Sequence, residues 1–112
     1  MDVQLKKGII EMCILKSIAD KDMYGYPIMQ KMEKYFPETD NSSIYAILRR
    51  LNLEGYTETY KGRESGGPTR KYYRITEGGR KYLATKIKEW NMIHRIVEDF
   101  GLNGESEQSY SM

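Results

Sequence analysis

Apolar residues recur at helical spacing in four stretches of the chain and alternate in two others, which predicts four helices and one β-hairpin. Leu5 to Ala19 reads as the first helix. Leu5, Ile9, Met12 and Cys13 make one stripe, and Ile10, Ile14 and Ile18 another. That apolar surface is wide for a helix facing one core, so it suits contact with both its own core and a second chain. Asp20-Lys21-Asp22 is a turn. Tyr24-Gly25-Tyr26-Pro27 opens the second helix, where proline is tolerated in the first turn. Ile28, Met29, Met32 and Tyr35 carry its face up to Phe36-Pro37. Of the two tyrosines, Tyr24 is expected to touch a phosphate or position the helix, and Tyr26 to pack. Glu38-Thr39-Asp40 links to the third helix.

Residues 40–55 have the start, body and stop of a short helix. Asp40 or Asn41 can accept a bond from a free N–H in the first turn. Gly55 can end the helix in the left-handed conformation. Ile44, Ile47, Leu48 and Leu51 form one apolar face. The other face carries Ser42, Tyr45, Ala46 and Arg49, beside Ser43. It is small at its N-terminal end and fits a DNA major groove, with Arg49 for a guanine edge or phosphate and Tyr45 for a phosphate or thymine methyl. An ordinary amphipathic helix with a solvated face remains the alternative at this point.

The next stretch changes that balance. Tyr56–Tyr60 and Lys71–Ile75 alternate and are rich in β-formers, and the segment 61–70 between them has the glycines and proline of a long turn. Tyr73 and Ile75 share a face and are predicted to pack inward. Lys71 shares their parity, so its stem must bend outward. Gly66-Gly67 precedes a strand and not a helix, so it reads as a flexible tip and not a phosphate cradle. From Ser42 to Arg74 there are seven Arg or Lys against three Glu. Helix, then basic hairpin, is the order of a winged helix-turn-helix, in which the helix reads a groove and the wing, here with Arg63, Arg70 and Lys71, holds the backbone.

Thr76-Glu77-Gly78-Gly79 can cap a last helix running from Gly79 to Phe100, with Gly101 as its stop. Leu83, Ile87, Trp90 and Val97 form a seam widened by Ile93, Ile96 and Phe100, at spacings that suit helix-on-helix packing between chains. The expected dimer interface is therefore Leu5 and Ile9 from the first helix with Leu83, Ile87, Trp90, Ile93, Val97 and Phe100 from the last. The expected division is a DNA-binding unit over 1–76, a dimerisation helix over 77–101 and a disordered tail over 102–112. His94 is expected to be a partly buried polar residue, with pH sensing or ligand contact as the alternative.

Together these motifs resemble the PadR family of transcriptional regulators, of the type with a short C-terminal region. The matching residues are Tyr24-Gly25-Tyr26, Ser43-Ile44-Tyr45, Leu48-Arg49-Arg50-Leu51, Glu54-Gly55, Gly66-Gly67-Pro68 and Arg70-Lys71-Tyr72-Tyr73-Arg74-Ile75-Thr76, and the likeness spans roughly residues 5–100. It implies a mainly α (α+β) winged helix-turn-helix and a DNA-binding repressor that dimerises through its first and last helices. Some multidrug-responsive PadR relatives bind planar drugs at the dimer interface beside a tryptophan. That raises a ligand-platform reading of Trp90, with Met12 and Ile93 as walls and His94 or Glu89 as a polar handle. The other reading is that Trp90 is a packing anchor.

Composition adds bounds. At 112 residues the chain is one domain with a small core, 30% charged and 39% hydrophobic. No apolar run approaches the roughly 20 residues needed to cross a bilayer, and the N-terminus lacks a secretion signal, so a cytoplasmic protein is expected. Cys13 is alone and in a helical, buried setting, which excludes an internal disulfide. One histidine makes neither a zinc site nor a triad, and no nucleotide-binding loop is present, so no enzyme, metal or cofactor is expected. The net charge of +2 is modest, but residues 98–112 hold four acids and no base, which concentrates positive charge elsewhere. Double-stranded DNA is the expected partner, with a homodimer and a small aromatic ligand; a winged-helix protein-interaction or RNA-binding module is the alternative.

Overall fold

The apolar stripes close into one core. Ile10, Ile14, Leu15 and Ile18 meet Ile28 and Met32, the Ile44–Leu51 face, Tyr73, Ile75 and Leu83. The computed structural model describes residues 2–104. The elements, in order, are α1 (Val3–Asp20), β1 (Met23–Tyr24), α2 (Gly25–Tyr35), α3 (Asn41–Leu53), β2 (Thr57–Gly62), β3 (Arg70–Ile75) and α4 (Glu77–Asp99). The strands form one antiparallel sheet in the order β1-β3-β2, with Thr57 opposite Ile75 and Lys61 opposite Lys71. This is the expected mainly α winged helix-turn-helix.

The helix ends follow the predicted chemistry. Asp40 accepts from the Ser43 N–H at 2.8 Å and caps α3. At the other end Gly55, at φ +82°, lets the Tyr56 N–H reach the Leu51 carbonyl. Thr76 caps α4 through the Gly79 N–H at 3.0 Å and donates its hydroxyl proton to the Gly55 carbonyl. A Cβ on Gly79 would lie 2.0 Å from the Tyr56 carbonyl oxygen, so only glycine lets α4 start this close to the wing.

Four expectations are corrected. Tyr24 does not begin the second helix: it belongs to β1, opposite Tyr72, and immediately precedes α2. The pairing edge of β3 takes up the Met23–Tyr24 backbone, a long-range choice that local periodicity cannot reveal. Tyr26 does not pack; it is exposed and its hydroxyl accepts from Gln30 Nε2. Leu83, assigned to the seam between chains, lies in the core of its own chain. His94 is exposed on α4, 3.3 Å from Glu98. The expected tail falls mostly outside the description, since residues 105–112 are not among the described ones.

Among the described residues one charged group is buried. Glu11 on α1 is 8% exposed, accepts from Arg50 Nη2 on α3, and accepts from the Tyr82 hydroxyl on α4. A carboxylate withdrawn from water is tolerable only when its oxygens are bonded. Tyr82 also stacks on Tyr56 at 4.1 Å, and burial pushes its hydroxyl's titration up. Glu11→Ala leaves Arg50 with only the longer contact to Glu54 at 3.8 Å and is expected to cost about 1–3 kcal/mol, with Arg50's partial exposure limiting the loss. Tyr82→Phe removes one bond and is expected to cost about 1 kcal/mol. Urea denaturation of both variants checks this; equal losses would deny the Glu11–Arg50 pair its larger share.

Candidate nucleic-acid interface

α3 owes its orientation to its own sequence. With Ile44, Ile47, Leu48 and Leu51 buried, the remaining arc must face water, and Ser42, Tyr45, Ala46 and Arg49 are all exposed. Arg49 forms no ion pair among the described residues, while its neighbour Arg50 is committed to Glu11. A single residue step, about 100° of helix turn, separates a free cation from a structural one. Ser43 is exposed but lies on the flank toward α1 and not in the Ser42–Tyr45–Arg49 row. The bonds from the Ser43 N–H, the Ser43 hydroxyl and the Ser42 hydroxyl hold the Asp40 carboxyl below its usual range, with Lys6 adding a pull.

Tyrosines join this face to the wing. The Tyr45 hydroxyl lies 3.0 Å from where a Cβ on Gly25 would stand, so α3 and the start of α2 touch through the missing side chain. Next to Gly25, Tyr24 meets Tyr72 of β3 edge-on at 5.3 Å. Tyr72 stacks on Tyr60 of β2 at 5.5 Å, and the Tyr60 hydroxyl donates to Asp22 Oδ2 at 2.6 Å. That bond to a carboxylate raises the Tyr60 titration. Tyr24 is half-buried in this row, and Arg70 stands over its ring at 5.4 Å.

The wing's cations divide into free and committed. Arg74 bonds Glu58 Oε1 at 3.0 Å and covers Tyr60, so its charge is largely used internally. Arg63 donates to Thr69 Oγ1 across the tip. Lys71 bends over Tyr73, as its parity required, and is exposed. Lys61 sits directly opposite Lys71 in the ladder, a like-charge pair that destabilises a hairpin unless an anion lies nearby. The sequence reading counted Lys61 as wing charge but did not single it out; the strand register is the signal that does. Trp90, Ile93 and His94 share the exposed side of α4, with the Trp90 and His94 rings 6.2 Å apart, whereas half-buried Met12 lines a separate groove with Leu83 and Ile87.

Among the described residues no three His, Cys, Asp or Glu are grouped to hold a metal ion, and no helix is long and apolar enough to cross a membrane. A capped helix with a free polar face, a helix before it and a cationic antiparallel hairpin after it define a winged helix-turn-helix of the DNA-binding transcriptional regulators. More narrowly, the chain belongs to the transcriptional regulator PadR-like family, whose pattern matches residues 14–85. It is 36% identical to a PadR-like transcriptional regulator from Bacillus cereus, with a TM-score of 0.82 over 90% of this chain and 98% of that one. A Streptococcus transcriptional regulator is 27% identical, with a TM-score of 0.81 over 88% of this chain and 98% of the other. An uncharacterized protein of Lysinibacillus sphaericus is 38% identical over 100 residues, 84% of this chain and 89% of that one.

The division of cations makes a direct prediction. Arg49→Ala should weaken binding to a preferred duplex by about 1–3 kcal/mol relative to random duplex, the worth of a bidentate guanine contact. Arg70→Ala or Lys71→Ala should weaken all duplexes alike and flatten the salt dependence by about one unit per lost phosphate contact. Fluorescence anisotropy across a salt series reads both; a wing variant with an unchanged slope would remove the wing from the phosphate-holding surface.

Proposed function

We propose that the chain is a homodimeric, sequence-specific repressor that reads a pseudo-palindromic DNA operator in the cytoplasm. Residues 1–76 act as the DNA-binding unit and 77–101 as the pairing helix. Ser42, Ser43, Tyr45 and Arg49 serve the groove, and Tyr24, Arg63, Arg70 and Lys71 the flanking backbone. The observation that carries the pairing is the apolar stripe α4 leaves open. Beyond Leu83 no α4 residue is buried, and Ile87, Trp90, Ile93, Ile96 and Phe100 all face solvent. Such a stripe on a soluble helix marks an interaction surface. Leu5, 57% exposed, and the half-buried Ile9 offer a second apolar surface on α1. A two-fold pair sets two reading helices about one turn of DNA apart.

The protein should sediment as a dimer at micromolar concentration. Ile93→Asp should shift it toward monomer and weaken operator binding, though position 93 is remote from the reading face. A wild-type monomer that binds a palindrome as one unit would sink the pairing.

A planar aromatic or cationic ligand at the pairing surface is the second part of the reading. Trp90 is 41% exposed and meets the His94 ring edge-on, which leaves a ring face open to stacking. Such a ligand lifts repression by favouring a dimer in which the reading helices are wrongly spaced. A panel of planar dyes should quench Trp90 fluorescence saturably, with Trp90→Ala abolishing binding. Intact dimers that no dye quenches would leave Trp90 as packing alone.

A further inference from the structure

A cleft of about 560 Å³ opens between the N-terminal half of α1 and the start of α3, closed at one end by the link between α2 and α3. The proposed pairing does not use it, and it shares only Ser43 and Ala46 with the proposed DNA-facing surface. Its α1 wall is Val3, Lys6, Lys7 and Ile10, whereas Leu5, Ile9 and Met12 lie well round the helix at about 100° per residue. Its α3 wall is Ser43, Ala46 and Ile47, one flank away from the Ser42–Tyr45–Arg49 row.

The wall chemistry is specific once committed groups are set aside. Arg50 reaches the cleft but is tied to Glu11, and Asp40 is tied to the cap of α3. Lys6 and Lys7 on α1, and Glu38 on the link, form no ion pair among the described residues. Ile10 and Ile47 are buried and supply an apolar floor. Between the charges stands Thr39, whose Oγ1 is the one buried side-chain oxygen without a hydrogen-bond partner among the described residues. Buried hydroxyls are almost always bonded.

We propose that this cleft binds a small zwitterion with an apolar body, of the α-amino acid class. Its carboxylate lies toward Lys6 and Lys7, its ammonium toward Glu38, and its side chain on the isoleucine floor. A simple anion would gain the two lysines but face the Glu38 and Asp40 carboxylates; a simple cation would meet the reverse. Only a ligand with both charges pairs both walls, and charges drawn from water need pairing. The same mixed lining disfavours a DNA phosphate. The bound ligand touches α3 through Ser43 and Ala46, at the edge of the proposed DNA-facing surface, and leaves the Ser42–Tyr45–Arg49 row uncovered.

The test uses the full isotope-labelled chain without DNA and follows backbone amide shifts. The probes are L-leucine, isoamylamine, which lacks the carboxylate, and isocaproate, which lacks the ammonium. L-leucine is expected to shift the Thr39, Ser43 and Ala46 amides saturably, with each half-ligand about tenfold weaker or worse, as loss of a charge-assisted bond implies. Glu38→Gln and the Lys6→Gln/Lys7→Gln pair should weaken L-leucine by a similar factor while the rest of the amide spectrum keeps its folded pattern. Equal binding of isocaproate would make the cleft an anion site and overturn the proposal. No saturable shift with L-leucine, L-isoleucine or L-phenylalanine at millimolar concentration would overturn it as well.

Discussion

Glu11 is the constraint on which the rest of the arrangement depends. Its carboxylate is buried, and α3 and α4 each send one donor to it. Three helices are thereby fixed to one point. Tyr82 passes the constraint on by stacking on Tyr56, the residue that follows Gly55 and leads into β2. The Thr76 hydroxyl closes the same corner on the Gly55 carbonyl at 2.6 Å. The reading helix, the root of the wing and the base of α4 therefore cannot shift independently without exposing or orphaning a charge.

On the far side of α3 the link to the wing is aromatic. Tyr45, Gly25, Tyr24, Tyr72 and Tyr60 touch in sequence and end on Asp22. Rings have few rotatable bonds, so such a row holds a hairpin at a set angle at small entropic cost. Gly25 matters because a side chain there would press on the Tyr45 hydroxyl. The wing is thus braced at both ends, by the Tyr56–Tyr82 stack at its root and by the tyrosine row along its outer face.

A net charge of +2 gives little general attraction to DNA, so the affinity has to come from placement. The fold spends several cations internally: Arg50 on Glu11, Arg74 on Glu58, Lys86 beside Glu89. What is left uncommitted near the reading surface is a short set, Arg49, Lys61, Arg70 and Lys71. Lys61 and Lys71 face one another across the hairpin, a repulsion that, on the proposed reading, an approaching phosphate would relieve.

Much of this was legible in the chain because it is local. The buried faces of α1 and α3, the Asp40 cap, the Gly55 stop and the inward Tyr73 and Ile75 follow from spacing and from the chemistry of single residues; on α2 Ile28, Met29 and Met32 are buried as well, whereas Tyr35 is exposed. The exposed row of Ser42, Tyr45 and Arg49 followed from the same periodicity. What the chain alone did not disclose depends on partners far apart in sequence. Glu11 looks like a solvated charge until Arg50, 39 residues on, and Tyr82, 71 residues on, are brought to it. Arg49 and Arg50 read alike, and only packing makes one free and one structural. By spacing alone Tyr24 reads as a helix residue and Leu83 as an interface residue, because a strand edge and a shared core are properties of the assembled fold. Periodicity fixes which face of an element is buried; which element it is buried against, and so which charges are used up there, is settled only when the elements pack.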